Sequence, residues 1–202
     1  MISVLDGQHG APAGKKAPAE KAMQLSLFVS GCEPQVWRRL LVRESMWLQQ
    51  LHDAIQVLFE WYDYQVHEFA AAGTRYGNPF NRGYVVVEDD PDVTLADIDL
   101  AGAGRMLYHY HFGEGWTVEI GVEKILPLEK KQFYPVCVAG ARAGPPEDCG
   151  GAEAYNDMLE CVKTPHTDIG QEWLAWLGPE YDPEKCDLEA INEQLRQRPL
   201  PK

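Results

Sequence analysis

The stretch Leu107-Tyr108-His109-Tyr110-His111-Phe112-Gly113-Glu114-Gly115-Trp116-Thr117-Val118-Glu119-Ile120-Gly121-Val122 decides the fold. Tyr108, Tyr110 and Phe112 recur at every second position, and after the break Trp116, Val118, Ile120 and Val122 do the same. A period of two belongs to a half-buried strand, whose successive side chains leave on opposite faces. Gly113-Glu114-Gly115 is a short connection with glycine where a hairpin loop needs a positive φ. Neighbouring strands joined in this way run antiparallel, so strands are predicted over 107–112 and 116–125 of one antiparallel sheet.

The same signal appears upstream. Met23, Leu25, Leu27 and Val29 alternate with Gln24, Ser26, Phe28 and Ser30, Gly31-Cys32-Glu33-Pro34 turns the chain, and 36–42 reads as the returning strand. The period then changes. Leu48, Leu51, Ile55, Leu58 and Phe59 form one apolar stripe at helical spacing, with Ser45 as the expected N-cap and His52 at the stripe's margin. Strands are expected at 66–71, 84–87 and 133–138, loops at 73–83 and 140–151, and a short helical turn at 94–97. Three helices are expected to close the chain, at 153–162, 169–177 and 188–196. Trp173, Leu174 and Leu177 are expected to face inward from the second, and Asp187 to cap the third. Strands early and helices late give an α+β fold, a largely antiparallel sheet with one early amphipathic helix and a C-terminal helical cluster.

Composition narrows the partners. The 202 residues hold 31 Asp plus Glu against 18 Lys plus Arg, a formal charge of −13. Nucleic-acid and anionic-membrane affinity comes mainly from clustered Lys and Arg, so both partners are disfavoured. No run reaches the roughly 18 consecutive apolar residues of a spanning helix. The five cysteines are odd in number and contain no Cys-x-x-Cys pair, which suits a reduced, cytoplasmic protein. Residues 1–22 read as a flexible leader rich in Gly, Ala, Pro and Lys, and 23–202 as a single domain.

Three segments together carry a resemblance. They are Pro34-Gln35-Val36-Trp37-Arg38-Arg39 leading to Leu51-His52-Asp53-Ala54-Ile55-Gln56 and Trp61; Tyr110 to Trp116; and Tyr134-Pro135 followed by Gly144-Pro145-Pro146-Glu147-Asp148-Cys149-Gly150-Gly151. In this order they resemble the plasmid pRiA-four-b ORF-three-like family, also catalogued as the TnpR-like passenger protein of insertion elements. The resemblance runs from about Met23 to Arg196. It implies an α+β protein of undetermined activity, found in bacteria and archaea and on plasmids and mobile elements. The sequence departs from the family pattern at His111 and Glu114, where aspartates are usual, and at Val118 and Gln65, where histidines are common.

Glu147 and Asp148 sit in a loop stiffened by Pro145 and Pro146 and closed by Gly150 and Gly151. Two carboxylates so placed could hold a metal or act as an acid–base pair, but the reading preferred is a structural or interaction loop in which Asp148 bonds the backbone of the following helix. His109 and His111, two apart on a strand, are expected on one face, with His67 and Glu119 as further ligand candidates. Tyr110, Glu114 and Trp116 complete the candidate binding residues. The recombinase chemistry implied by the TnpR label needs a nucleophile ringed by arginines, and Arg38 and Arg39 are expected on opposite faces of a strand. No catalytic residue is assigned, no cofactor motif is present and the metal is unknown. The leading expectation is a non-enzymatic binding or accessory module whose protein or small-molecule partner docks near 144–151 and the aromatic hairpin. A metal-dependent hydrolase built on Glu147, Asp148 and the strand histidines is the alternative, and a DNA-associated resolvase-like protein comes third.

Overall fold

The computed structural model of the chain describes residues 20–77, 88–89, 93–111 and 115–198. The expected leader, the 84–87 strand and the tip of the 113–115 loop lie largely or wholly outside them. Among the described residues the elements run β1 Lys21–Val29, β2 Trp37–Arg43, α1 Leu48–Phe59, β3 His67–Ala71, β4 Thr74–Gly77 and β5 Glu88–Asp89. Then come α2 Leu95–Ile98, α3 Leu100–Ala103, β6 Met106–Tyr110, β7 Trp116–Pro127, β8 Val136–Ala141, α4 Gly151–Val162, α5 Asp168–Leu177 and α6 Leu188–Gln197. All the strands join one sheet in the order β5-β4-β3-β6-β7-β1-β2-β8. Seven are antiparallel neighbours, and the two-residue β5 joins β4 in parallel. The fold is α+β.

Register follows from burial of one face. Leu25 pairs with Leu40, Leu27 with Arg38 and Ile120, Tyr108 with Val118, and Phe69 with Tyr108. A slip of one residue in any strand would turn its buried set to solvent, so the core pins the pairing. On the other face Arg39 pairs with Glu123 at 2.5 Å, Gln24 donates to Glu123 at 2.6 Å, and His109 meets Thr117 at 3.1 Å. Arg38 and Arg39 lie on opposite faces: Arg38 is wholly buried and Arg39 is partly exposed.

The apolar stripe of α1 buries Leu48, Leu51, Ile55, Leu58 and Phe59 in the main core, together with Tyr155, Met158 and Leu159 of α4 and Ile191 and Leu195 of α6. Each such side chain contributes about 1.5–3 kcal/mol relative to exposure. Arg38 crosses this core and donates to Leu58 O (3.0 Å) from Nε and to Trp37 O (2.8 Å) and Ala141 O (3.0 Å) from Nη1. No helix among the described residues is long and apolar enough to cross a membrane.

Several local expectations are corrected. Ser45 does not cap α1; its hydroxyl binds the Glu20 carboxylate, and the cap is Trp47, whose N–H donates to Gln50 Oε1 at 3.0 Å. Residues 74–77 form a strand rather than loop because β3 offers a free edge beside them. β6 stops at Tyr110, since His111 takes a left-handed φ of 56° that no strand continues. β8 runs 136–141 rather than 133–138, starting after Pro135, which has no amide hydrogen for a ladder. Leu174 is 41% exposed rather than inward. Gly170 of α5 approaches the end of α4, where a Cβ would lie 2.8 Å from Cys161 O, while Trp173 and Leu177 pack against the main core.

Candidate functional site

His52 and Gln56 are four apart on α1 and therefore share one face of the helix. That face meets Tyr108 of β6. Gln56 Nε2 donates to the Tyr108 hydroxyl at 2.9 Å, and the same hydroxyl lies 2.8 Å from His52 Nδ1. The Asp63 carboxylate, whose Oδ1 lies 2.9 Å from His52 Nε2, can only accept, so the neutral ring's hydrogen is assigned to Nε2 and Nδ1 accepts from the Tyr108 hydroxyl. The Asp63 N–H donates back to Gln56 Oε1 at 3.0 Å and closes the ring. Asp63 holds a left-handed φ of 60°, a conformation aspartate tolerates.

The electrostatics agree with that proton assignment. Burial pushes His52 down from the usual imidazole range, with the bond to Asp63 opposing it. The Asp63 carboxyl is held below the usual range, first by the bond from His52. A neutral imidazole donating to a carboxylate satisfies both. Burial drives the Tyr108 hydroxyl well above its ordinary value and raises the neighbouring Asp53 carboxyl. His67 stacks flat on His52, their centroids 3.7 Å apart and the rings 10° from parallel.

The second cluster is the 144–149 loop. Gly144 presses on the end of α1 so closely that a Cβ there would sit 1.9 Å from Phe59 O. Trp61 Nε1 donates to Pro145 O at 3.0 Å, and Trp116 Nε1 to Glu147 O at 2.9 Å. The Glu147 side chain is 4% exposed; it accepts from the Tyr62 N–H at 2.6 Å on Oε2 and from the Tyr110 hydroxyl on Oε1. Burial, and the carboxylate beside it, raise the Tyr110 hydroxyl above the ordinary range. Trp61 stacks on Tyr110 with centroids 5.2 Å apart and is tilted 33° against Trp116 at 5.8 Å.

The candidate residues therefore separate. Glu147 points inward and Asp148 lies exposed. α4 begins on Gly150, which has no side-chain cap, and Gly150 and Gly151 have φ of 97° and 86°. His67 pairs with Tyr110 and shares its buried face, whereas His109 pairs with Glu68 and Thr117 on the opposite face. His111 lies beyond the strand end, so it does not continue the face of His109. Glu114 falls outside the described residues. Tyr110 and Trp116 pair across the hairpin and both reach Glu147. Gln56, Asp53, Asp63 and Tyr108 were missed by the reading of the sequence. The four-residue spacing of His52 and Gln56 was visible, but Asp63 reaches them only through the turn after α1.

A groove of about 260 Å³ opens beside the loop, lined by Phe59, Tyr62, Pro145, Pro146, Trp176 and Tyr181, with Glu60 and Asp148 among its walls. Trp176 is 51% exposed, and Tyr62 stacks on the exposed Tyr64 at 5.6 Å. A second cavity of the same volume, at the start of α1 between Trp47 and Tyr134, gathers no comparable set of titratable groups.

An antiparallel sheet with helices on one face, a buried His–Tyr–Gln–Asp ring and a clamped Pro-Pro-Glu-Asp loop define a class of α+β domain of undetermined activity. Residues 21–190 match the family described as Plasmid pRiA4b ORF-3-like protein. The chain belongs to that family. It is similar to the uncharacterized protein y4hQ of Sinorhizobium fredii, 27% identical over 175 residues that span 86% of this chain and 90% of the relative. It is also similar to the crystal structure of MM3350, a protein of unknown function from Methanosarcina mazei. That match has a TM-score of 0.78 and 36% identity, and covers 85% of this chain and 97% of the other.

Proposed function

We propose that the chain is a cytoplasmic binding module whose groove between α1, the 144–148 loop and α5 takes a basic, proline-bearing peptide segment. The observation that carries this reading is the groove wall itself: Tyr62, Trp176 and Tyr181 beside Pro145 and Pro146, with the carboxylates of Glu60 and Asp148 next to them. Aromatic-lined grooves receive extended proline-rich segments because such segments lose little entropy on docking. Carboxylates alongside select a cationic neighbour, and a chain of net charge −13 attracts one.

The loop is suited to that task by its rigidity. Glu147, Trp61, Trp116 and Gly144 fix it to three elements, so little order is lost when a partner arrives. The two oxygens of Glu147 are each engaged, and His67 and His109 stand on different faces with His111 beyond the strand, which supports the binding reading ahead of the hydrolase alternative. A reduced compartment accords with buried thiols such as Cys32 and Cys137, which burial pushes up to about 12 and about 11. The mobile-element association rests on the family's name alone.

The test is NMR titration of the Trp176 indole N–H with a set of proline-containing peptides bearing Lys or Arg, alongside counterparts in which Glu replaces the basic residue. The basic set is expected to shift that signal and to lose affinity on Trp176→Ala. Equal binding by the acidic set, or no shift with any peptide, would overturn the reading.

A further inference from the structure

The geometry points to a divalent-cation site at the margin of the buried ring, formed by His52 Nε2 and the carboxylates of Asp53 and Asp63. One ligand atom from each of the three lies within 4.8 Å of the other two. Nitrogen and oxygen ligands bind Zn²⁺ at about 2.0–2.2 Å, so they lie at most about 4.4 Å apart across the ion. Asp53 and Asp63 are partly exposed, and a small rotation of either closes the difference. The site differs from the Glu147 loop and is independent of the peptide reading.

The imidazole supplies the second argument. His52 is 1% exposed, and its ring is fixed by Tyr108 on Nδ1 and by the stacked His67 on its face, so Nε2 is aimed at the carboxylates. Histidine ligands in metal sites have their other nitrogen held in this way, which sets ring orientation and tautomer. On metal binding the ring's one hydrogen is carried by Nδ1 instead of Nε2 and donated to the Tyr108 oxygen, whose own hydrogen turns out of that contact. One imidazole and two carboxylates suit Zn²⁺, Mn²⁺, Fe²⁺ or Co²⁺, with coordination positions left for water or substrate.

A resident cation already partly balances the site. Arg198 donates to Asp53 O at 2.7 Å, and its Nη1 lies 3.6 Å from Asp53 Oδ1. A metal ion has to displace that guanidinium from the carboxylate, so Arg198 weakens metal binding. Access from solvent is through the two carboxylates themselves, whose side chains are 25% (Asp53) and 43% (Asp63) exposed.

The experiment uses the full chain, purified without a histidine tag, stripped with chelator and titrated with Co²⁺ by visible absorption and with Zn²⁺ by calorimetry. One ion per chain with ligand-field bands is expected. Asp53→Asn and Asp63→Asn should each weaken binding by at least about tenfold, with circular dichroism confirming that both remain folded. Arg198→Met should strengthen it, a result that a merely structural arginine would not give. Absence of ligand-field bands, or affinity unchanged in both Asn variants, would overturn the site.

Discussion

Replacing Glu147 with glutamine keeps the side chain's shape and removes its charge, so it isolates what the clamp is worth. The carboxylate accepts the Tyr62 N–H at 2.6 Å and the Tyr110 hydroxyl, both in a buried setting. Hydrogen bonds to charged groups contribute about 1.5–3 kcal/mol each. Glutamine can still accept the Tyr62 N–H on its oxygen and donate its amide to the Tyr110 hydroxyl, so the charge assistance of both bonds is what is lost, and the expected destabilisation is about 1.5–3 kcal/mol. For a chain of this size each kcal/mol shifts Tm by about 2–4 °C, giving a drop of about 3–12 °C. Urea unfolding followed by tryptophan fluorescence measures it directly, because Trp61 and Trp116 both hydrogen-bond this loop. Asp148→Asn, exposed on the neighbouring position, is the internal control and should leave stability unchanged. A Glu147→Gln variant within about 0.5 kcal/mol of the parent, the usual scatter of surface substitutions, would refute the clamp and return Glu147 to the candidates for ligand chemistry.

Gly144→Ala should be among the most damaging single substitutions, because its Cβ would lie 1.9 Å from Phe59 O and must lift the loop off α1; a Tm equal to that of the parent would contradict the close approach. Acid should destabilise the fold. Asp63, Asp97 and Asp187 are held below the usual carboxylate range by His52, Thr94 and the Ala190 N–H respectively. Each is more acidic folded than unfolded, so its contribution is present above about pH 4 and is lost as pH falls through the folded value. Asp53, raised by burial, acts in the reverse sense and offsets part of this. A urea midpoint that rises between about pH 5 and pH 3 would contradict the balance.

Much of the sheet was legible because alternation is a local signal: Met23 to Val29 and Trp116 to Val122 each state their buried face within a few residues. The α1 stripe was legible for the same reason at the helical period. What escaped depends on neighbours distant in sequence. Ser45 has the right chemistry for a cap, yet Glu20 takes its hydroxyl and Gln50 serves Trp47 instead. Leu174 obeys the helical stripe, but Trp173 and Leu177 take the core-facing places on α5 and leave it 41% exposed. Glu147 and Asp148 look like a pair on paper, while the loop's conformation sends one inward and one outward. His67 and His109 are separated by strand parity, which becomes readable only once the register of β3 against β6 is known.

Arg38 gives the architecture a directional logic. Its guanidinium reaches the last turn of α1, its own strand and the end of β8 at once, from a position with no exposure to water. A permanent charge is tolerated there only when all three carbonyls are in place, so a partly assembled core with α1 or β8 detached leaves that charge facing apolar surroundings. Half-built states are thereby penalised more steeply than lost apolar contact alone would penalise them. Arg38 thereby couples its own strand, the end of α1 and the end of β8, 103 positions away, so that the three are stable together rather than singly.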